Sequence, residues 1–166
     1  MERGIPMKKK GFTLVELIVV LVILAILAAL LIPALTGYID KANEEKLQAT
    51  TRQVVVAAQS VVSEAYAESE GFEGDDLTAT KWKGEDAATF GQPGDKVKIY
   101  EICELAEIAQ DITEVGGFYK GKFKNGITWV GIKYGNDGKL IHVHVSDGTQ
   151  TCTYDGKTGD YTVEKY

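Results

Sequence analysis

Residue types that build catalytic and metal sites are scarce in this sequence: its 166 residues include two histidines and two cysteines. The chain has no Cys-x-x-Cys pair, no Glu-x-x-His helix pair and no phosphate-binding glycine loop, and Ser60, Ser63 and Ser69 have no histidine close in sequence. His142 and His144 alternate with aliphatic residues, which places both on the opposite face of a predicted strand. Two ligands without a third nearby are better explained by a solvent-facing position than by a metal site. We therefore expect a protein that is not an enzyme and holds no metal and no cofactor.

Charge is missing from a long stretch near the amino end. The apolar run that ends at Leu35 contains a single ionisable residue, Glu16. About 20 consecutive apolar residues are enough for a helix to cross a bilayer. A carboxylate within such a helix is costly and is usually kept for a function, so Glu16 needs a functional explanation.

A basic cluster, Lys8 to Lys10, and then Gly11 stand directly before this run. A secretory signal peptide also begins with basic residues, but its cleavage site follows an apolar core of about 7–15 residues. Here the apolar run is longer and the candidate junction precedes it. Cleavage at this junction would leave the hydrophobic helix on the mature protein.

The segment Lys8-Lys9-Lys10-Gly11-Phe12-Thr13-Leu14-Val15-Glu16 resembles the amino end of the type IV pilin family, that of a prepilin with a class III signal peptide, similar to type IVa major pilins. The resemblance implies that a prepilin peptidase cuts after Gly11 and that Phe12 becomes the N-methylated first residue. It also implies that Glu16 acts in filament assembly.

The same resemblance implies a structural role. The protein would wait in the inner or cytoplasmic membrane with a single transmembrane helix, meet the peptidase/methyltransferase and the pilus assembly machinery, and polymerise with copies of itself into a surface filament for twitching motility, adhesion or biofilm formation. The alternatives are a pseudopilin of a type II secretion or competence system and a minor pilin acting as a tethered adhesin. Removal of the leader takes away four basic residues and one acidic residue, which changes the net charge from -6 to about -9. Such an acidic chain is a poor partner for nucleic acid.

Helical spacing of apolar residues continues beyond the uncharged run. Six of them recur at steps of three, four and seven: Leu47, Val54, Ala58, Val61, Val62 and Ala65. This pattern predicts an amphipathic second half of one long helix that ends near Glu68–Gly71. We expect a helix kink at Pro33, which lacks a backbone N–H, with Gly37 adding flexibility.

The rest of the chain predicts a loop, a short helix and a sheet, which together give an α+β fold of the pilin type. Gly71 to Asp95 is rich in glycine and acidic residues and predicts a loop, and Val97 to Gln110 predicts a helix that carries Cys103. Five strands follow with hairpin turns between them, predicting an antiparallel β-meander: Phe118–Lys124, Ile127–Tyr134, Lys139–Ser146, Gln150–Tyr154 and Asp160–Lys165.

Five segments result: a cleaved leader (1–11), a hydrophobic membrane and filament-core helix (12–36), the amphipathic half of the helix (37–70), a loop region with the short helix (71–117) and the sheet (118–166). The start of translation, at Met1 or at Met7, stays open.

The two cysteines, Cys103 and Cys152, favour a structural disulfide, since a lone pair in a domain outside the membrane is more often a staple than a redox site. Closing a loop of about 50 residues would stabilise the fold by roughly 4 kcal/mol in the chain-entropy model.

Overall fold

A computed structural model describes residues 11–68, 77–79, 88–89, 97–115 and 118–166. The elements in chain order are α1 (Leu14–Glu68), β1 (Leu77–Ala79), β2 (Ala88–Thr89), α2 (Ile99–Leu105), β3 (Ala109–Val115), β4 (Phe118–Phe123), β5 (Trp129–Tyr134), β6 (Leu140–Ser146), β7 (Gln150–Asp155) and β8 (Tyr161–Lys165). A long amino-terminal helix followed by antiparallel strands confirms the α+β layout predicted from the sequence. The chain divides into two compact units, Met1–Ala42 and Asn43–Tyr166.

In the first unit, α1 presents apolar side chains on every side. Its large aliphatic side chains between Leu14 and Ile39 are exposed in the single chain, from 48% at Val20 to 73% at Leu14. Within the described ranges, α1 is the helix that is long and apolar enough to cross a membrane, judged by length and composition. A helix that is apolar all round needs lipid or other apolar helices around it.

Pro33 lies inside α1, and the helix continues on both sides of it. Proline removes one hydrogen bond of the helical ladder. Three residues on, the Thr36 hydroxyl donates a hydrogen bond to the Pro33 carbonyl at 2.9 Å. The chain therefore stays helical through this point, and the bend expected at Pro33 and Gly37 stays a prediction.

In the second unit, α1 buries one stripe, which confirms the amphipathic pattern. The buried residues recur at helical spacing: Leu47, Thr50, Thr51, Val54, Ala57, Ala58, Val61, Val62 and Ala65. The hydroxyls of Thr50 and Thr51 donate to the carbonyls of Lys46 and Leu47 one turn earlier, so neither is left without a partner. Gln59 ties the helix to the sheet by donating to the Gly138 carbonyl at 3.1 Å.

Five strands form one antiparallel sheet in the order β1-β5-β6-β7-β8. From β5 to β8 each strand pairs with the next in sequence, so the predicted meander is confirmed for these four strands. Valines and isoleucines of β5 and β6 alternate into the core and join the α1 stripe in one cluster. The burial of this cluster stabilises the folded domain.

The meander does not include β4, which is a correction to the sequence prediction. β4 pairs with β2 and β3 in a separate three-stranded sheet. Asn125 and Gly126 do form a tight turn after β4, with φ values of 59° and 81°. The strands on either side of this turn belong to different sheets, so the turn connects two sheets and does not close a hairpin.

The second helix is shorter than predicted, because it ends at Leu105 and residues from Ala109 onward form β3. Two hydrogen bonds close its end: Glu107 N–H donates to the Glu104 carbonyl, and Ile108 N–H to the Cys103 carbonyl. Glu107 has a φ of 56°. This is a Schellman ending, which usually places glycine at that position. Because a glutamate occupies this position, the sequence lacks the glycine that would have indicated the end of the helix.

The predicted loop from Gly71 to Asp95 lies largely outside the described residues. β1 and β2 fall within it. β1 pairs with β5 at the edge of the larger sheet, and β2 pairs with β4.

The expected disulfide is absent, since both Cys103 and Cys152 are free thiols in the described structure. Each has no exposed surface, and each lies in the apolar core cluster. Burial raises the pKa of both thiols; for Cys152 a hydrogen bond with Thr51 and the charge of Arg52 oppose the effect in part. Both cysteines therefore act as small apolar core residues.

We expect the two thiols to resist alkylation in the folded protein, because the thiolate is the reactive form and burial disfavours it. Intact mass should show two carbamidomethyl groups after denaturation without reductant, and few or none before it. Cys103→Ser should carry one group under the same denaturing conditions. Denatured protein that is labelled only after reduction would show a disulfide and contradict the structure.

Candidate processing and assembly site

The candidate processing junction is a short non-helical segment in front of α1. Gly11, Phe12 and Thr13 are exposed and have no regular secondary structure. A Cβ at Gly11 would meet no atom within 4 Å, so nothing in the described chain shields the bond between Gly11 and Phe12. The basic cluster Lys8 to Lys10 lies outside the described residues.

Thr13 and Glu16 close the beginning of α1 with reciprocal hydrogen bonds. Thr13 donates its backbone N–H to Glu16 Oε2 at 2.8 Å and its hydroxyl to the same oxygen at 2.7 Å. In return, Glu16 N–H donates to Thr13 Oγ1 at 3.3 Å. This is a capping box, with Thr13 as N-cap and Glu16 three positions later. It satisfies donors that the first turn of a helix leaves without intrahelical partners.

The capping box gives Glu16 a position as well as a partner. Its carboxylate turns back towards the amino end of α1, where the helix dipole favours negative charge. In the described structure the hydrogen bonds to this carboxylate reach Oε2, and Oε1 is open to a further donor. Cleavage after Gly11 would leave Thr13 and Glu16 untouched, so the box survives in the mature chain.

Sequence reasoning singled out Gly11, Phe12 and Glu16; Glu16 lies in the first turn of α1, and Gly11 and Phe12 lie in the segment directly before the helix. It missed the capping role of Thr13. The signal was present, because Thr13-x-x-Glu16 before an apolar run matches the capping-box pattern.

The other candidate residues belong to the second unit. Cys103 and Cys152 are core residues, and His142 and His144 lie on β6. No group of three or more His, Cys, Asp or Glu side chains within the described ranges could hold a metal ion.

Comparison with known protein families gives one result that bears on this site. Residues 6–32 match the family described as the prokaryotic N-terminal methylation motif. Comparison with curated proteins and with solved structures gives no match. The motif is the class III signal peptide of type IV pilins, and it supports a prepilin of the type IV pilin family. With the apolar helix, it indicates anchoring in a membrane.

We expect Thr13→Ala to weaken the first turn of α1. The substitution removes the hydroxyl that accepts from Glu16 N–H, and losing an N-cap costs about 1 kcal/mol. Amide hydrogen exchange in detergent micelles should show the Glu16 N–H exchanging about fivefold faster. Thr13→Ser, which keeps a hydroxyl, is the matched control and should retain protection. Unchanged exchange in Thr13→Ala would mean that the capping box does not form in the mature protein.

Proposed function

We propose that this protein is a structural subunit of a type IV pilus and not an enzyme. The proposal rests on the exposure of the first part of α1 and on the capping box at its beginning. Its apolar side chains are exposed on all sides, and one carboxylate is held by a capping box at its beginning. Such a helix is suited to lipid before assembly and to a core of identical helices after it. The matched motif supports a broader statement than this proposal, because it fits a type IV pilin and a pseudopilin equally well.

Apolar contacts alone contribute little to the free energy of this assembly. When a helix leaves lipid for a bundle of similar helices, it exchanges one apolar surrounding for another, so the bulk hydrophobic effect contributes little. Close packing and the pairing of polar groups must therefore supply the favourable free energy of assembly. Glu16 is the one ionisable residue of the apolar run and is therefore the group for which pairing matters most.

Cleavage after Gly11 supplies the partner. It creates an α-amine on Phe12, with an ordinary pKa of about 7.7–8.0, and N-methylation leaves that amine cationic. In the filament, the carboxylate of one subunit would meet the amine of its neighbour. The attraction between opposite charges grows as water is excluded, and a charge left unpaired there is strongly destabilising.

The capping box allows both roles at once. Oε2 of Glu16 already accepts two hydrogen bonds from Thr13, which holds the carboxylate in place. Oε1 can accept from the amine of a second copy without breaking the cap. Glu16 would then meet the incoming amine in a fixed orientation, which lowers the entropy lost on pairing.

The proposal implies that the protein has different partners before and after processing. The precursor sits in the cytoplasmic membrane through α1 and meets the prepilin peptidase, which also methylates Phe12. The pilus assembly machinery then draws the mature subunit into the growing filament, where its partners are copies of itself.

We expect processing between Gly11 and Phe12. A bulky side chain in place of Gly11, as in Gly11→Val, should block the peptidase and leave full-length precursor in the membrane. Amino-terminal sequencing of wild-type protein should start at Phe12. A start within the second unit would refute the assignment of the junction, and normal processing of Gly11→Val would refute the role of Gly11.

We expect Glu16→Gln to be inserted and cleaved but to yield few or no filaments. Glutamine keeps the shape and can still accept the cap hydrogen bonds, so the variant removes the charge alone. Glu16→Ala should give the same result, whereas Thr13→Ala, which keeps the charge, should still assemble. Electron microscopy of sheared surface material measures the yield.

Three outcomes of that experiment are informative. Abundant filaments of normal length from Glu16→Gln would overturn the charge-pairing role. A wild type that makes no long surface filaments would favour a pseudopilin. Long filaments that form normally in a strain lacking this protein would favour a minor pilin.

A further inference from the structure

The turn after β4 contains the one Asn-Gly dipeptide of the sequence, Asn125-Gly126. The Ile127 N–H donates to the Lys124 carbonyl at 3.1 Å and closes the turn. Both central residues are exposed. A Cβ at Gly126 would meet no atom within 4 Å, so nothing in the described chain crowds the turn on that side.

Asparagine followed by glycine is a chemically labile pair. Asparagine is one of the thermolabile residues of proteins. The backbone nitrogen of the next residue can attack its side-chain amide carbon, and a glycine has no side chain to hinder the attack. In a folded chain, hydrogen bonds can prevent the reaction by engaging the attacking N–H or by holding the side chain under attack. Within the part of the chain that the structure describes, neither the Gly126 N–H nor the Asn125 side chain makes a hydrogen bond.

Three Asp-Gly turns of the same chain are held by the hydrogen bonds that the Asn125 turn lacks. In each of them the glycine N–H is engaged, and the acceptors are the Gly135 carbonyl for Gly138, the Ser146 hydroxyl for Gly148 and the Ile141 carbonyl for Gly156. In each, the aspartate side chain also accepts from the backbone N–H two residues later, which is that of Lys139 for Asp137, Thr149 for Asp147 and Lys157 for Asp155. All four turns lie within the described residues, and the turn at Asn125 is the one in which both reacting groups lack hydrogen bonds.

Lys46 of α1 adds an activating contact to this turn. Its Nζ donates a hydrogen bond to the Asn125 carbonyl oxygen at 3.2 Å. This carbonyl belongs to the peptide bond whose nitrogen must attack. When that nitrogen loses its proton, negative charge spreads onto the carbonyl oxygen, where a hydrogen bond from an ammonium group stabilises it. The contact therefore favours the reactive form of the peptide bond.

We propose that Asn125 is a site of spontaneous covalent modification, at which the folded turn converts asparagine to aspartate and isoaspartate with Lys46 as the activating residue. Hydroxide removes the proton from the Gly126 nitrogen, which then attacks Cγ of Asn125. The new C–N bond closes a cyclic imide while the bond between Cγ and Nδ2 breaks, and ammonia leaves after taking a proton from water. This inference does not depend on the proposed function.

Water then opens the imide at either of its two carbonyl groups. Cleavage between the Gly126 nitrogen and Cγ gives aspartate and leaves the main chain as it was. Cleavage between that nitrogen and the former main-chain carbonyl carbon gives isoaspartate, in which the main chain runs through the side chain of residue 125. In both cases one water is consumed and one ammonia is released for each chain.

Both products add a negative charge beside Lys46, and isoaspartate changes the turn further. It converts the carbonyl that Lys46 contacts into a carboxylate, and it lengthens the main chain by one methylene group. The turn connects β4 of the smaller sheet with β5 of the larger sheet. The modification therefore alters the charge of this surface and the link between the two sheets as the protein ages.

The test uses processed full-length protein in detergent, incubated in neutral buffer and sampled over time by peptide mass spectrometry. We expect the peptide that contains Asn125 to convert into two new species of equal mass, aspartate and isoaspartate. Asn43 and Asn136, which are followed by Glu44 and Asp137, are internal controls and should stay intact. The three Asp-Gly turns should not isomerise in the folded protein, but they should do so in urea, where their hydrogen bonds are lost.

A matched pair of lysine variants tests the activating contact. Lys46→Met should slow the conversion severalfold in the folded protein and leave it unchanged in urea, where the contact with Asn125 is absent. Lys157→Met removes the same charge from an exposed position on another turn and should change neither rate. Circular dichroism verifies that both variants are folded.

Three results would count against the proposal. If Asn125 stayed intact in the folded wild type but converted in urea, the folded turn would protect it and the proposal would be overturned. Conversion to aspartate without any isoaspartate would exclude the cyclic imide. Equal rates in folded wild type and folded Lys46→Met would refute the role assigned to Lys46.

Discussion

The burial of one stripe of α1 is the interaction on which the folded domain depends. Residues from Leu47 to Ala65 place their apolar side chains in a single cluster with β5, β6, β7 and α2. A fully buried Val or Leu contributes about 1.5–3 kcal/mol, so the stripe is a main source of the stability of the second unit. The sheet supplies the matching surface because its strands alternate valine and isoleucine inwards.

The two parts of α1 require different surroundings. Beyond Asn43, one face is covered by the chain itself and the others meet water. Before that point, apolar side chains are exposed all round, and the chain provides nothing to cover them in the described structure. A single element thus couples a soluble domain to a segment that needs lipid or further copies. The capping box at Thr13 and Glu16 keeps the one carboxylate of the apolar run that ends at Leu35 at the beginning of α1, where it can be paired.

Several elements show where sequence reasoning succeeds and fails. The stripe of α1 and the strands from β5 to β8 follow from periodicity and turn residues, which are local. The end of α2 was misplaced because Glu107 takes a left-handed conformation that glycine usually occupies. β4 was assigned to the meander because its turn, Asn125-Gly126, has hairpin chemistry, yet the partners of β4 are β2 and β3. Strand pairing depends on which surfaces the whole chain can cover, and a turn cannot report it.

The sequence by itself predicted the processing junction and showed its likeness to a class III signal peptide, because a peptidase reads a linear segment. It also contained the capping-box pattern, which spans four residues. It also determined the apolar character of the helix, since burial in lipid depends on composition alone. Only the tertiary structure decided the state of the cysteines, which lie in the core as separate free thiols. It also decided the neighbours of the histidines, because Thr153 is the register partner of His144, and Lys133 and Asp155 are the register partners of His142. Register is set by the packing of distant segments, so no local pattern in the sequence contains it.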